Sequence, residues 1–147
     1  MNKMKLKLSS VLEDCLEAIY IITAVDKMPA ARVTDISRLM SVNKCNVTSN
    51  MKILGELGMV NYSQYRWITL TVKGKRIAKT IYSRHVELVK FFSEILGLPD
   101  EVSERNACKM EHLMDTFSMQ RLNIFVKFIR NNISMRYNQG IKNFVKV

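Results

Sequence analysis

Residues 33–57, VTDISRLMSVNKCNVTSNMKILGEL, decide the fold class of this 147-residue chain because they hold two helical patterns separated by a short turn. The first pattern predicts a helix over Val33–Met40 with Thr34 as its N-cap. Ser41, Val42 and Asn43 form the turn, and a second helix is predicted over residues 44–57. Apolar residues recur in that helix at spacings of four and three, so they form one buried stripe: Val47, Met51, Leu54 and Leu57.

The flanking sequence completes a winged helix-turn-helix order. A helix is predicted over residues 12–24, with Ser9 or Ser10 as its N-cap. Over residues 59–72, β-branched and aromatic residues roughly alternate, which predicts a two-stranded hairpin turning near residues 63–66.

The helical period returns at Lys73 and predicts a long helix that ends before Gly97. Further helices are predicted over residues 101–114 and 118–131, whereas the tail from residue 132 to residue 147 has no clear period. The expected fold is therefore mainly α with a small β-hairpin. An N-terminal winged helix-turn-helix domain occupies residues 1–76, and a C-terminal helical dimerisation domain occupies residues 77–147.

The charge is concentrated in the first of these domains. The chain has a formal net charge of +10, with 13 basic and 6 acidic residues in positions 1–79 and 10 and 7 in positions 80–147. The two parts thus carry +7 and +3. A basic surface favours a polyanion, so we expect that partner to meet the N-terminal domain.

A helix-turn-helix domain reads double-stranded DNA through the N-terminal residues of its second helix. On that helix alone, a solvated polar face is an equally good interpretation, but the order of the elements and the charge asymmetry together favour DNA. The expected contacts to bases and phosphates are Asn43, Lys44, Asn46, Thr48, Ser49 and Lys52 on the helix, Arg66 at the hairpin tip, and Lys73, Lys75 and Arg76 after the hairpin.

Several classes of protein are disfavoured. The three cysteines are widely spaced and lack a CxxC pair, which is typical of a reducing cytoplasm rather than a disulfide framework. No apolar stretch approaches the ~20 residues that span a bilayer, so no membrane partner is expected. There is neither a nucleophile motif nor a glycine-rich loop, which argues against an enzyme.

A second group of residues has the chemistry of metal ligands. Two carboxylates lie three residues apart in the first predicted helix, and a thiol, a carboxylate and an imidazole lie at i, i+3 and i+4 near residue 110. The set includes both histidines of the chain, and such donors suit a divalent first-row metal. Taken singly, each also has an ordinary interpretation as a surface or buried residue. The set is Asp14, Glu17, His85, Cys108, Glu111 and His112.

Five stretches, in this order and spacing, resemble a known family: LEDCLEAIY at 12–20, ARVTDI at 31–36, LTVKGK at 70–75, RH at 84–85 and CKMEH at 108–112. Over about residues 12–129 the chain resembles the iron- and manganese-dependent repressors of the diphtheria-toxin repressor family. It is most similar to the short manganese sensors, which lack an SH3-like third domain.

The resemblance implies that all six residues of the set bind Mn(II) or Fe(II), as one or two ions per chain. Asp14 with Glu17 looks like the manganese-type pattern, whereas Cys108 looks like the cysteine of iron-type members. Val89 stands where iron-type members have a glutamate of a further site, which puts that site in doubt. The implied function is repression of metal-uptake genes by a metal-loaded homodimer on a pseudo-palindromic operator.

Two alternatives stay open. The C-terminal domain has more apolar residues than a small domain buries, which predicts a dimer, although a monomer core is the simpler interpretation: Phe91, Phe92, Ile95, Leu113, Met114, Phe117, Leu122, Phe125 and Phe128. Cys15 beside Asp14 and Cys45 in the second helix of the motif also allow a winged-helix regulator that senses an oxidant or an organic ligand instead of a metal.

Overall fold

The computed structural model describes residues 8–62 and 67–132. The chain divides after Tyr82 into two compact units. Pi-helical turns at Ile21–Val25 and Phe91–Ile95 extend the first and fourth helices. The elements are α1 (Ser10–Tyr20), α2 (Val33–Met40), α3 (Lys44–Glu56), β1 (Val60–Asn61), β2 (Thr69–Leu70), α4 (Val72–Lys90), α5 (Asp100–Met110) and α6 (Thr116–Asn132).

This order confirms the predicted fold class, a mainly helical chain with a small hairpin. The expected domain boundary after Arg76 and the observed division after Tyr82 both fall inside α4, where the sequence continues one helical period. No helix in residues 8–62 and 67–132 is long and apolar enough to cross a membrane.

The first unit is organised around the buried face of α3. Val47, Met51 and Leu54 are fully buried there, as the spacing predicts, and they share a core with residues of α1, α2 and the hairpin. Leu57 is the C-cap residue of α3 and only partly buried, because the helix ends at Glu56. Burial of this stripe fixes which residues of α3 remain at the surface.

The start of α2 differs from the sequence prediction. Its N-cap is Arg32, and the prediction of Thr34 was wrong because the helix already begins at Val33. Ala31 pairs with Ile68 in an antiparallel bridge, with N–H to carbonyl distances of 2.9 Å and 2.8 Å. The bridge ends an extended segment whose last residue, Arg32, keeps β backbone angles (φ −117°, ψ 155°). The helix therefore starts directly after it.

The hairpin pairs Val60 with Leu70 and Asn61 with Thr69. The Asn61 side-chain amide donates to Thr69 Oγ1 at 3.1 Å. The predicted turn at residues 63–66 lies outside the described residues.

The hairpin is joined tightly to the first turn of α4. The Thr71 backbone N–H donates to the Met59 carbonyl at 3.0 Å, and the Thr71 hydroxyl donates to the Gly58 carbonyl at 2.8 Å. Thr71 Oγ1 in turn accepts from the Gly74 backbone N–H at 3.1 Å, which caps α4. Gly74 is required here, since a Cβ at that position would lie 1.9 Å from the Met59 carbonyl oxygen.

In the second unit, α5 ends earlier than predicted, at Met110 instead of residue 114. The next helix, α6, has its own cap at Asp115: the Asp115 carboxylate accepts from the Ser118 backbone N–H at 2.9 Å and from the Ser118 hydroxyl at 2.7 Å. These hydrogen bonds, the backbone one first, hold the pKa of Asp115 below its ordinary value.

We expect Gly74→Ala to lower the free energy of unfolding by about 3 kcal/mol, because the methyl group forces the hairpin away from α4. Urea denaturation followed by circular dichroism measures this change. Gly55→Ala is the matched control: a Cβ there meets nothing within 4 Å, and removing a glycine from a helix interior stabilises by about 0.5–1 kcal/mol. Equal stabilities for the two variants would contradict the close contact.

Candidate metal centre and DNA-reading surface

Glu111 is the most enclosed charged residue of the second unit. It is 1 % exposed and follows α5 as its C-cap residue, with helical backbone angles (φ −58°, ψ −31°). Its Oε2 lies 3.0 Å from His85 Nδ1, and its Oε1 lies 3.3 Å from His112 Nε2. A helix end and two imidazoles thus hold one buried carboxylate.

His85 contacts a carboxylate at each ring nitrogen. Nδ1 contacts Glu111, and Nε2 lies 2.8 Å from Oε2 of Glu104, an exposed residue of α5. A carboxylate that accepts the N–H of one ring nitrogen fixes both the ring orientation and the tautomer, and so frees the other nitrogen for a ligand. Sequence analysis missed Glu104. The sequence gives one indication that Glu104 belongs near the site: it lies seven residues before Glu111, and residues two helical turns apart share a face.

The other expected ligands are Cys108 and His112 in the second unit and Asp14 and Glu17 in the first. Cys108 is exposed on α5, one turn before Glu111. His112 is half-buried in the turn that follows α5. In the first unit, Asp14 is half-buried and Glu17 is buried on α1, one turn apart.

The donor set of the second unit fits a divalent metal. Two imidazoles and a carboxylate are ligands that first-row divalent metals accept. One Glu111 oxygen, Oε1, is buried without a hydrogen bond despite the nearby His112 ring. A buried carboxylate with incomplete hydrogen bonding is costly to maintain, and a bound cation offsets that cost.

The N-terminal half of α3 presents the polar residues expected to read DNA. Lys44, Asn46, Ser49 and Lys52 are exposed, and Thr48 is half-buried. The Ser49 hydroxyl donates to the Cys45 carbonyl at 3.1 Å, so its proton is used within the helix.

Two of the expected DNA contacts also hold α3 in place. Asn43 is the N-cap, and its Oδ1 accepts from the Cys45 backbone N–H at 2.8 Å, which leaves its amide N–H groups as donors for a base or phosphate. The Lys73 ammonium donates to the Leu57 carbonyl at 2.9 Å and so caps the far end of the same helix. Arg66 lies outside the described residues.

Two family models match this chain, one over its N-terminal part and one over its C-terminal part. Residues 7–68 match the family model described as iron dependent repressor, N-terminal DNA binding domain. Residues 71–134 match the model described as iron dependent repressor, metal binding and dimerisation domain.

Relatives that match over most of their length are named as transcriptional regulators. An uncharacterised HTH-type transcriptional regulator of Methanocaldococcus jannaschii is 35% identical over 126 residues, which are 86% of this chain and 100% of the relative. The HTH-type transcriptional regulator MntR of Shouchella clausii is 31% identical over 121 residues, 82% of each chain. The solved structure of the manganese regulator SloR superposes with a TM-score of 0.69 at 25% identity and covers 80% of this chain. This chain spans about half of that structure, 54%.

The chain therefore belongs to the iron-dependent repressor family. It is a metal-dependent transcriptional regulator with a DNA-binding domain and a metal-binding and dimerisation domain, and it is not an enzyme. The family membership, the function class and the absence of enzyme activity predicted from the sequence are confirmed.

Glu104→Ala is expected to weaken Mn²⁺ binding by about tenfold, because His85 loses the carboxylate that orients its ring. Isothermal titration calorimetry of the purified protein with Mn²⁺ measures the change. Glu101→Ala is the matched control: this carboxylate lies one turn earlier on α5, is 91% exposed, and contacts only Arg105 among its described ion pairs, at 3.9 Å. Wild-type affinity in the Glu104 variant would show that His85 needs no orienting partner.

Proposed function

We propose that this chain represses metal-uptake genes in the cytoplasm when Mn(II) or Fe(II) is bound, as a homodimer on a pseudo-palindromic operator. The observation that carries the proposal is the buried Glu111 carboxylate between His85 and His112, inside a domain whose family binds metal. The named relatives MntR and SloR, a manganese regulator, favour manganese, whereas the family name favours iron.

We propose that the complete ligand set also includes Asp14, Glu17 and Cys108, with one or two ions per chain. In support, Asp14 and Glu17 lie one turn apart on α1, and both carry hard oxygen donors. When bound, the divalent cation would balance the negative charge of three carboxylates and a thiolate. The residues of the chain then differ in what they contribute: His85 and His112 give neutral nitrogen donors, and Glu111 gives the buried anionic one.

Metal preference is expected to depend on the balance of soft and hard donors. Asp14, Glu17 and Glu111 give oxygen ligands, which suit manganese. Cys108 is the soft donor, and a thiolate shifts preference toward iron, cobalt or zinc. Cys108 is an exposed residue of α5.

The first unit contains a direct route from α1 to the reading helix. Leu16 and Ile19 of α1 are fully buried in the same core as Val47 and Met51 of α3. Beside them, the Asn50 amide of α3 donates to Cys15 Sγ at 3.6 Å. If a cation bound by Asp14 and Glu17 shifts α1, the packed side chains transmit that shift to α3, because a packed core resists deformation.

The burial of Cys15 weakens the alternative of an oxidant sensor at this residue. Burial raises the pKa of the Cys15 thiol to about 11, although the hydrogen bond from Asn50 opposes this. A thiol that stays protonated at neutral pH is a poor nucleophile toward peroxide. Cys45 is exposed on α3 and remains the residue through which an oxidant would act.

The homodimer is supported by an apolar surface on and before α6. Phe92 and Ile95, which the sequence analysis counted toward the interface, are buried within the unit. A further set stays exposed, with Leu113 at 84% and Phe117 at 69%, and apolar side chains recur along α6 at spacings of seven and four. The set is Leu113, Phe117, Ile124, Phe125 and Phe128. A patch of this kind indicates a protein interface.

The test is DNA affinity as a function of metal. Duplexes selected by the Mn²⁺-loaded protein from a randomised pool serve as probes, and fluorescence anisotropy measures binding. Chelator is expected to weaken specific binding at least tenfold, and Mn²⁺ or Fe²⁺ to restore it, since coupling between two sites is typically ~1–3 kcal/mol. Equal affinity with and without metal would contradict the proposal. A response to peroxide but not to metal would favour the oxidant alternative.

A further inference from the structure

We propose that Arg32, whose guanidinium lies over the Trp67 ring, is a DNA phosphate contact beside the hairpin; the proposal rests on the DNA-binding function proposed above. The Arg32 guanidinium carbon lies 4.0 Å from the centroid of the Trp67 ring. Arg32 is exposed, and Trp67 is 49% exposed, so the pair lies at the surface.

The backbone places these two residues opposite each other. Ala31 and Ile68 exchange both N–H to carbonyl hydrogen bonds in an antiparallel bridge. In antiparallel pairing the next residues along each strand, Arg32 and Trp67, face one another, and their side chains leave on the same side. The contact between Arg32 and Trp67 is therefore set by the backbone pairing of Ala31 with Ile68.

Within residues 8–62 and 67–132, no carboxylate forms an ion pair with the Arg32 guanidinium. An exposed cation–π contact stabilises a folded protein only weakly. Its larger effect is to restrict the side chain before binding, because ordering a free arginine costs conformational entropy.

A stacked guanidinium keeps its N–H edge available, and that edge matches two oxygens of a phosphate. The position of the pair favours DNA as the source of that phosphate. Arg32 directly precedes α2, the first helix of the motif, which crosses the DNA backbone when the second helix enters the groove. Trp67 directly follows residues 63–66, where the sequence predicts the turn of the hairpin. Both belong to the part of the chain with a net charge of +7 over residues 1–79.

The contact is tested by the salt dependence of DNA binding by the Mn²⁺-loaded protein. One phosphate contact contributes about 0.9 to the slope of log affinity against log salt. Arg32→Ala is expected to reduce the slope by about one. Trp67→Leu keeps the charge, so it is expected to weaken binding a few-fold at low salt with little change of slope.

The double variant separates the role of the ring from that of the charge. If Trp67 acts only by orienting Arg32, the double variant binds like Arg32→Ala, whereas additive losses would overturn the orienting role. Arg105→Ala removes the same charge from the other unit and is expected to keep the wild-type slope. Urea denaturation of each variant reports any loss of folding.

A wild-type slope for Arg32→Ala would overturn the phosphate contact, provided that the wild type binds the same duplex. Failure of the wild type to bind any duplex in Mn²⁺ would instead overturn the proposed function, and the contact with it. An equal loss of slope in the Arg105 and Arg32 variants would also contradict the proposal, since it would reflect total charge rather than a specific contact.

Discussion

The Glu111 carboxylate is enclosed by protein, with His85 at one oxygen and His112 at the other. Removing a carboxylate from water costs on the order of several kcal/mol. Hydrogen bonds offset this cost only when both carboxylate oxygens are satisfied. Here one oxygen, Oε1, has no hydrogen bond. The proposed metal centre therefore includes a buried charge that its hydrogen bonds do not fully satisfy, and a bound cation would offset the cost of that charge.

The first unit uses its polar residues twice. Asn43 and Lys73 cap the two ends of α3 and also lie where DNA contacts are expected. In the proposed function, the helix that reads DNA is capped by some of the same residues that are expected to contact the nucleic acid. Because α1 shares a core with α3, the candidate ligands Asp14 and Glu17 lie on an element that packs directly against it. The proposed link between metal binding and DNA binding is this packing of apolar side chains.

The fold was largely predictable from the sequence because it depends on periodicity. The stripe of Val47, Met51 and Leu54 identifies the buried face of α3, and the change of period after it identifies the hairpin. A boundary set by a non-local contact was not predictable: Arg32 caps α2 because the preceding residue, Ala31, is bridged to Ile68. Glu104 was missed for the same reason, since its partner His85 lies 19 residues away.

The most direct test of the central claim is the stabilisation of the protein by metal. At a Mn²⁺ concentration 100 times the Kd, binding contributes about 2.7 kcal/mol, which corresponds to a rise in Tm of roughly 8 °C for a chain of this size. Thermal unfolding should show this rise for the wild type and for Glu101→Gln. Glu111→Gln, which preserves shape and removes the buried charge, should show none at the same Mn²⁺ concentration. The same rise in Tm for Glu111→Gln would contradict the role of this carboxylate as the anchor of the metal centre.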